Sequence, residues 1–225
     1  MAPPQVLSLL EALAGVGYRV VVISGRSRKS LEQVLGRPQG CTLVYLHGWE
    51  ILWDGELVRP WGEPDPLPSG LLSSLSTLSI PGVVVEHKGP SIALHYRLVE
   101  HARKEEARRA FLDALAGYQP QGYEILEGKE VVEVRPQGAS KGSAVAWIAE
   151  RLARHSPLRL AVFGDDTADL DMFRAVGKRG LTVAVGEPPL PLARWWLRSP
   201  QEVHQALGLL LHGMMGPRGH NTPIP

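Results

Sequence analysis

The chain has almost no cysteine, almost no net charge and no long apolar run, and each shortage excludes something. Cys41 is its single cysteine in 225 residues, so no internal disulfide can form. That usage fits a reducing compartment and predicts a cytoplasmic protein. Lys and Arg number 24 against 23 Asp and Glu, a net charge of +1, which leaves no electrostatic footprint for nucleic acid. The first apolar stretch is broken by Glu11 and Arg19, so neither a signal peptide nor a membrane span is expected. No self-similar period marks a repeat array. What the chain does have is 44% hydrophobic residues, ample for a buried core. Its length suits one sizeable domain, or a core that carries a smaller insert.

Helical and strand patterns alternate at both ends of the chain. Val6, Leu9, Leu10 and Leu13 recur at helical spacing before Gly15 and Gly17. Arg19 to Ile23 is a β-branched run that predicts a buried parallel strand, and Thr42 to Leu46 predicts another. Prolines 60, 64, 66 and 68 mark a linker. In the middle, Gly82 to Glu86 pairs with Ser91 to Arg97, and Tyr123 to Leu126 pairs with Glu130 to Arg135. These two predicted hairpins flank a helix carrying Ala107, Phe111 and Leu115. The alternating pattern then resumes: a helix from Lys141, a strand over Leu158 to Phe163, a strand over Leu181 to Val185, and a last helix through Leu211. The expected architecture is an α/β, doubly wound core (residues 1–62 and 135–212) interrupted by an α+β cap (63–134). A flexible tail is expected over 213–225.

Three polar segments lie where strands meet loops or helices begin. Gly164-Asp165-Asp166 ends a strand, and Asp169 falls one helical turn further on. Hard oxygen donors at that spacing suit Mg²⁺, although an Asp here also serves as a simple helix cap. Ser24 and Gly25 follow the first strand and offer a hydroxyl and backbone N–H groups to a phosphate. Arg26 next to them either binds an anion or pairs at the surface. Lys141 opens a helix, where a cation gains nothing from the dipole unless an anion shares the site. Glu86, Lys88, Glu133 and Arg135 alternate with apolar residues on the middle strands. Such a face is usually wet, but mixed acids and bases also suit a sugar's hydroxyls.

Taken in order, these segments resemble trehalose-6-phosphate phosphatases, a family of the haloacid dehalogenase (HAD) superfamily. The resemblance is carried by Ser24-Gly25-Arg26, His47-Gly48-Trp49-Glu50, Glu86-x-Lys88, Ala93-Leu94-His95-Tyr96-Arg97, Gly128-Lys129 to Pro136, Lys141-Gly142 and Gly164-Asp165-Asp166 with Asp169. It implies a HAD core with an inserted cap, and Mg²⁺-dependent hydrolysis of trehalose 6-phosphate to trehalose and phosphate. It also implies that Glu86, Lys88, Arg97, Lys129 and Glu133 grip the disaccharide. Ser24, Gly25, Arg26 and Lys141 would hold phosphate, and Asp165, Asp166 and Asp169 would hold the metal. A trehalose-6-phosphate synthase is the partner such a family suggests. A phosphatase for another sugar phosphate has the same fold. A non-catalytic sugar-phosphate-binding protein that regulates a synthase is the alternative from another class.

The family pattern also demands Asp-x-Asp-Gly-Thr on a first core strand. Its leading Asp attacks phosphorus and its second serves as general acid and base. The 225 residues hold no such motif. The expectation is a chain that starts late, lacking roughly two dozen residues and the central strand, and inactive as it stands. Strands 19–23 and 160–163 should then lie about two strand spacings apart, near 9–10 Å, or be collapsed together.

Overall fold

Apolar runs bounded by glycine become strands, and stripes at helical spacing become helices. The computed structural model describes residues 2–118, 121–154 and 157–215. The first unit contains α1 (Pro4–Gly15), β1 (Val20–Ile23), α2 (Arg28–Leu35), β2 (Cys41–Tyr45), β3 (Glu50–Trp53) and β4 (Glu56–Val58). β1 runs parallel to β2, and β3 and β4 extend that sheet antiparallel. The Ser27 hydroxyl caps α2 by accepting from Ser30 N at 3.3 Å, which satisfies one of the orphan donors of the first turn. The β3–β4 hairpin was not among the sequence expectations. Its signal is Asp54-Gly55, where both residues take positive φ, 48° and 90°, as a tight two-residue turn between twisted strands requires.

The middle unit is a cap. It contains α3 (Ser69–Ser76), β5 (Val84–His87), β6 (Ile92–His95), α4 (Lys104–Tyr118), β7 (Tyr123–Gly128) and β8 (Val131–Pro136). Its antiparallel sheet has the order β5-β6-β8-β7, so the two predicted hairpins meet along β6 and β8. The second hairpin turns at Lys129-Glu130, where Glu127-Gly128-Lys129 was expected, with Glu130 at φ 61°. α3 and α4 cover one face of this sheet. Leu71, Leu75, Ile92, Leu94, Phe111 and Val132 are buried between them, each worth about 1.5–3 kcal/mol. α3 itself was not anticipated, because its serine-rich sequence follows a proline tract and shows only Leu71 and Leu75 on one face.

The last unit contains α5 (Lys141–Ala153), β9 (Leu160–Gly164), α6 (Leu170–Val176), β10 (Gly180–Val185), β11 (Trp195–Leu197) and α7 (Pro200–Met215). Its three strands are parallel, in the order β11-β10-β9. α7 continues through Gly213 to Met215, past the point where the tail was expected. One glycine costs a helix only about 1 kcal/mol, and the His212 ring Nδ1 lies 2.7 Å from Gly208 O across the last turns. The rest of the expected tail lies outside the described residues. Among those described, no helix is long and apolar enough to cross a membrane.

The core is not one continuous sheet. Among the described residues, β1 is hydrogen-bonded only to β2, and β9 only to β10. β1 and β9 are not hydrogen-bonded to each other among the described residues. Ile23 from β1 and Leu160 and Val162 from β9 pack instead onto a shared cluster of Val145, Met172 and Val176. α5 and α6 therefore tie the two sheets together through side chains rather than through a ladder. All four residues of β1 are only half-buried, which is unusual for a β-branched strand in a parallel sheet.

Candidate functional site

β1 and β9 both end on one side of the molecule, and the candidate site is built on the loops that follow them. After β1, Ser24 N donates to Val44 O at 2.9 Å and Ser24 O accepts from His47 N at 2.9 Å. The Ser24 hydroxyl accepts from Arg26 N at 3.2 Å, which closes a tight turn. Arg26 itself is exposed and reaches Ser30 Oγ at 3.2 Å. Gly25 is needed for a steric reason that the sequence did not show. A Cβ there would lie 2.3 Å from Nε2 of His47, so the imidazole rests directly on the backbone.

After β9, the chain enters Asp165-Asp166 and a short 3₁₀ turn. Asp169 is buried, at 3% exposure. Its Oδ2 accepts from Asp165 N at 2.9 Å and Asp166 N at 3.0 Å, while its Oδ1 accepts from Lys141 Nζ at 2.5 Å. Asp169 therefore also anchors a lysine, a contact beside the metal ligation expected of it. Both its oxygens are engaged, and it holds Lys141 at the start of α5 against the loop after β9. Gly164 permits this, since a Cβ there would lie 2.4 Å from that of Asp169. Asp165 and Asp166 are exposed, and the Asp166 carboxylate caps Thr167 N. Among the described residues, no three acidic, His or Cys side chains converge as a metal cage. The donors fit an ion that keeps most of its waters and takes one or two carboxylates, from Asp165 and Asp166.

The cap supplies the other wall. Glu86, Ala93 and Glu133 are cross-strand neighbours, so the charged residues share the sheet face opposite α3 and α4. This face is not wet where it meets the core. Glu133 is 4% exposed, accepting from Lys88 Nζ at 2.7 Å and Ser91 Oγ at 2.8 Å. Lys88 also reaches Gly25 O at 3.4 Å, and Glu133 lies 3.5 Å from His47 Nε2. Cap and core are thereby joined by charged and polar side chains. Burial alone would raise the Glu133 carboxyl, but His47 and Lys88 outweigh it and bring it down to about 2. Burial lowers His47, and the Glu133 carboxylate opposes this only in part. Arg135 is buried beside them and pairs with Glu124 at 2.9 Å.

Ser24, Gly25, Lys88, Glu133 and Lys141 are therefore gathered around one seam. Glu86 lies on the same sheet face but pairs with His95 at 2.9 Å. Arg97 and Lys129 do not join the group. Arg97 is 70% exposed and faces Glu130 at 3.6 Å, and Lys129 is exposed at the hairpin tip. Sequence reasoning did not single out His47 for a role. A lone histidine in a loop carries no spacing signal, and only the fold reveals what it touches.

A capped α/β core with a hydroxyl and carboxylates on the loops after its parallel strands, and a lysine at the start of α5, is a HAD-type arrangement. The chain belongs to the trehalose-phosphatase family, whose sequence model matches residues 1–187. It is 37% identical over 198 residues to the bifunctional trehalose-6-phosphate synthase/phosphatase of Thermoproteus tenax, covering 84% of this chain and 26% of that protein. It is 34% identical over 175 residues to the trehalose-phosphate phosphatase of Mycobacterium marinum, covering 74% of this chain and 44% of that one. The chain thus spans between a quarter and under half the length of these two relatives. The fold is similar to the C-terminal domain of trehalose-6-phosphate phosphatase from C. albicans, with TM-score 0.79 at 23% identity over 93% of this chain and 84% of that one.

Proposed function

We propose that the protein acts on trehalose 6-phosphate as a phosphomonoester hydrolase, yielding trehalose and phosphate. The observation that carries this is the seam itself. Lys88, suited with Glu133 to a sugar, reaches Gly25 O at 3.4 Å beside the Ser24 hydroxyl suited to a phosphate, and Lys141 opens the helix whose cap residue abuts Gly48. Hydroxyls of a disaccharide would replace the Lys88–Glu133 pairing, and the phosphate would take the Lys141 ammonium and the amides after Ser24. Mg²⁺, when bound at Asp165 and Asp166, would neutralise phosphate charge. Glu86 would complete the near wall, with Arg26, Arg97 and Lys129 recruited at the rim. A synthase partner is supported by the bifunctional name of the Thermoproteus relative.

Attack on phosphorus needs a free carboxylate facing the phosphate. Asp169 is held by Lys141 and two amides, and Asp165 and Asp166 sit on the metal side. The hydrolysis therefore calls for a carboxylate beyond those named, and the 225 residues taken alone are expected to bind trehalose 6-phosphate with Mg²⁺ and to release no phosphate. Calorimetric titration paired with a phosphate-release assay tests this. Absence of binding would remove the substrate assignment, and released phosphate would show that a carboxylate of this chain attacks. Binding without turnover is also what a regulatory sugar-phosphate sensor would show. The lack of an Asp-x-Asp-Gly-Thr motif in the 225 residues is the observation that favours keeping that second reading.

A further inference from the structure

The backbone at residues 46–48 is held in an unfavourable conformation for one ring. Leu46 and His47 both take positive φ, 51° and 58°, a region that costs non-glycine residues about 1 kcal/mol or more each. The His47 side chain is nearly buried, at 12% exposure, and its Nδ1 has no hydrogen-bond partner among the described residues. Its other nitrogen, Nε2, faces Glu133 Oε2 of the cap at 3.5 Å. One side of the ring rests on Gly25, where a Cβ would lie 2.3 Å away. The next residue, Gly48, packs on Ser140 O, 2.5 Å from where its own Cβ would be, and Ser140 caps the helix that begins with Lys141.

We propose that His47 is a positioning residue that couples cap closure to the phosphate loop. It touches the Ser24-Gly25 loop on one side and the cap's Glu133 on another, and its turn abuts the helix start that carries Lys141. The proton belongs on Nε2, because a proton on Nδ1 would be a buried donor without an acceptor. In that tautomer the imidazole N–H faces the Glu133 carboxylate across the seam at 3.5 Å, while Lys88 spans the same seam in the opposite sense, from Glu133 to Gly25 O. The ring thus latches the cap onto the loop after β1, while Ser24 and Lys141 need no cap to meet a phosphate. The ligand part of this inference rests on the sugar-phosphate reading above; the latch itself does not.

The test is hydrogen exchange on the full chain without ligand, combined with titration of trehalose 6-phosphate and of inorganic phosphate. In His47→Ala, exchange across residues 88–91 and 131–134 rises, and the Kd for trehalose 6-phosphate rises about tenfold, the scale of one hydrogen bond to a charged group. The Kd for inorganic phosphate alone stays unchanged, because Ser24 and Lys141 remain. His47→Gln, which keeps a donor at similar reach, restores most of both effects. A folded His47→Ala protein with unaltered exchange overturns the latch, and equal losses for both ligands reduce His47 to a structural role. If His47→Ala does not fold, Gly25→Ala displaces the same ring, and unaltered exchange there overturns the proposal equally. Failure of the unmutated chain to bind trehalose 6-phosphate sinks the substrate reading alone, since the exchange measurement still decides the latch.

Discussion

At Glu133, burial and neighbours act in opposite directions, and the neighbours win. Its carboxyl falls from an ordinary 4.5 to about 2 in the folded protein, a difference worth about 3 kcal/mol. A carboxyl that binds its proton less readily when folded stabilises the fold above its unfolded value. That contribution is whole above roughly pH 4.5 and is lost as the pH falls toward about 2. Chemical denaturation at steps between pH 5 and pH 2 should show this loss. Glu133→Gln should flatten it and cost about 3–5 kcal/mol near neutral pH, because Lys88 is left buried without its counter-charge. An unchanged acid limb in the variant would assign the loss to another group. At this scale the sequence was a partial guide. Ser24, Lys141 and Asp165 stand on ordered segments of the sequence, whereas the contact of Asp169 with Lys141 leaves no trace there. Metal ligation and the anchoring of a lysine both call for a carboxylate at the same place, and only the partners distinguish them.

Two helices carry the site's lysine and its acidic loop, and they approach each other through a glycine. A Cβ on Gly142 would lie 2.4 Å from Asp171 O and 2.9 Å from its Cβ, so α5 and α6 sit as close as backbone allows. Gly142→Ala gains intrinsic helix propensity of about 1 kcal/mol, yet it must push α6 aside, and overpacking of this kind costs about 1–3 kcal/mol. The second term wins, because the obstructing atom is backbone and cannot rotate away. Thermal unfolding should therefore show a lower Tm for Gly142→Ala. A higher Tm would mean that the helices yield freely and that propensity decides. Legibility at this scale followed the strength of the periodic signal. β1, β9, α4 and α5 carry long apolar stripes or β-branched runs and were readable within a few residues. The β3–β4 hairpin turned on the dipeptide Asp54-Gly55 alone. β11 has three residues, two of them exposed tryptophans, and follows no alternation that a buried strand would impose.

Across the whole molecule, the cap is better built than the core it covers. In the cap, Ile92, Leu94, Val132 and Val134 on the two central strands are all at 0–1% exposure, and both strands are paired on each side. In the core, β1 and β9 each have one edge outside any ladder, and their apolar side chains are mostly half-buried. The general fold class followed from alternation of strand and helix. The division of its sheet was expected only from the family resemblance, because hydrophobic patterning reports burial and not which strand lies beside which. The imbalance has a measurable consequence. Amide exchange reports local opening, and the least protected segments are those with few buried contacts and exposed backbone. Val20–Ile23 and Leu160–Gly164 should exchange well before Ile92–His95 and Val131–Pro136, although parallel core strands ordinarily rank among the slowest in a protein. An added extended segment that paired with both free edges would reverse the order by burying those amides and side chains together. Core strands that exchange as slowly as the cap strands in the chain alone would mean that β1 and β9 pair directly in solution, which would remove the division of the sheet.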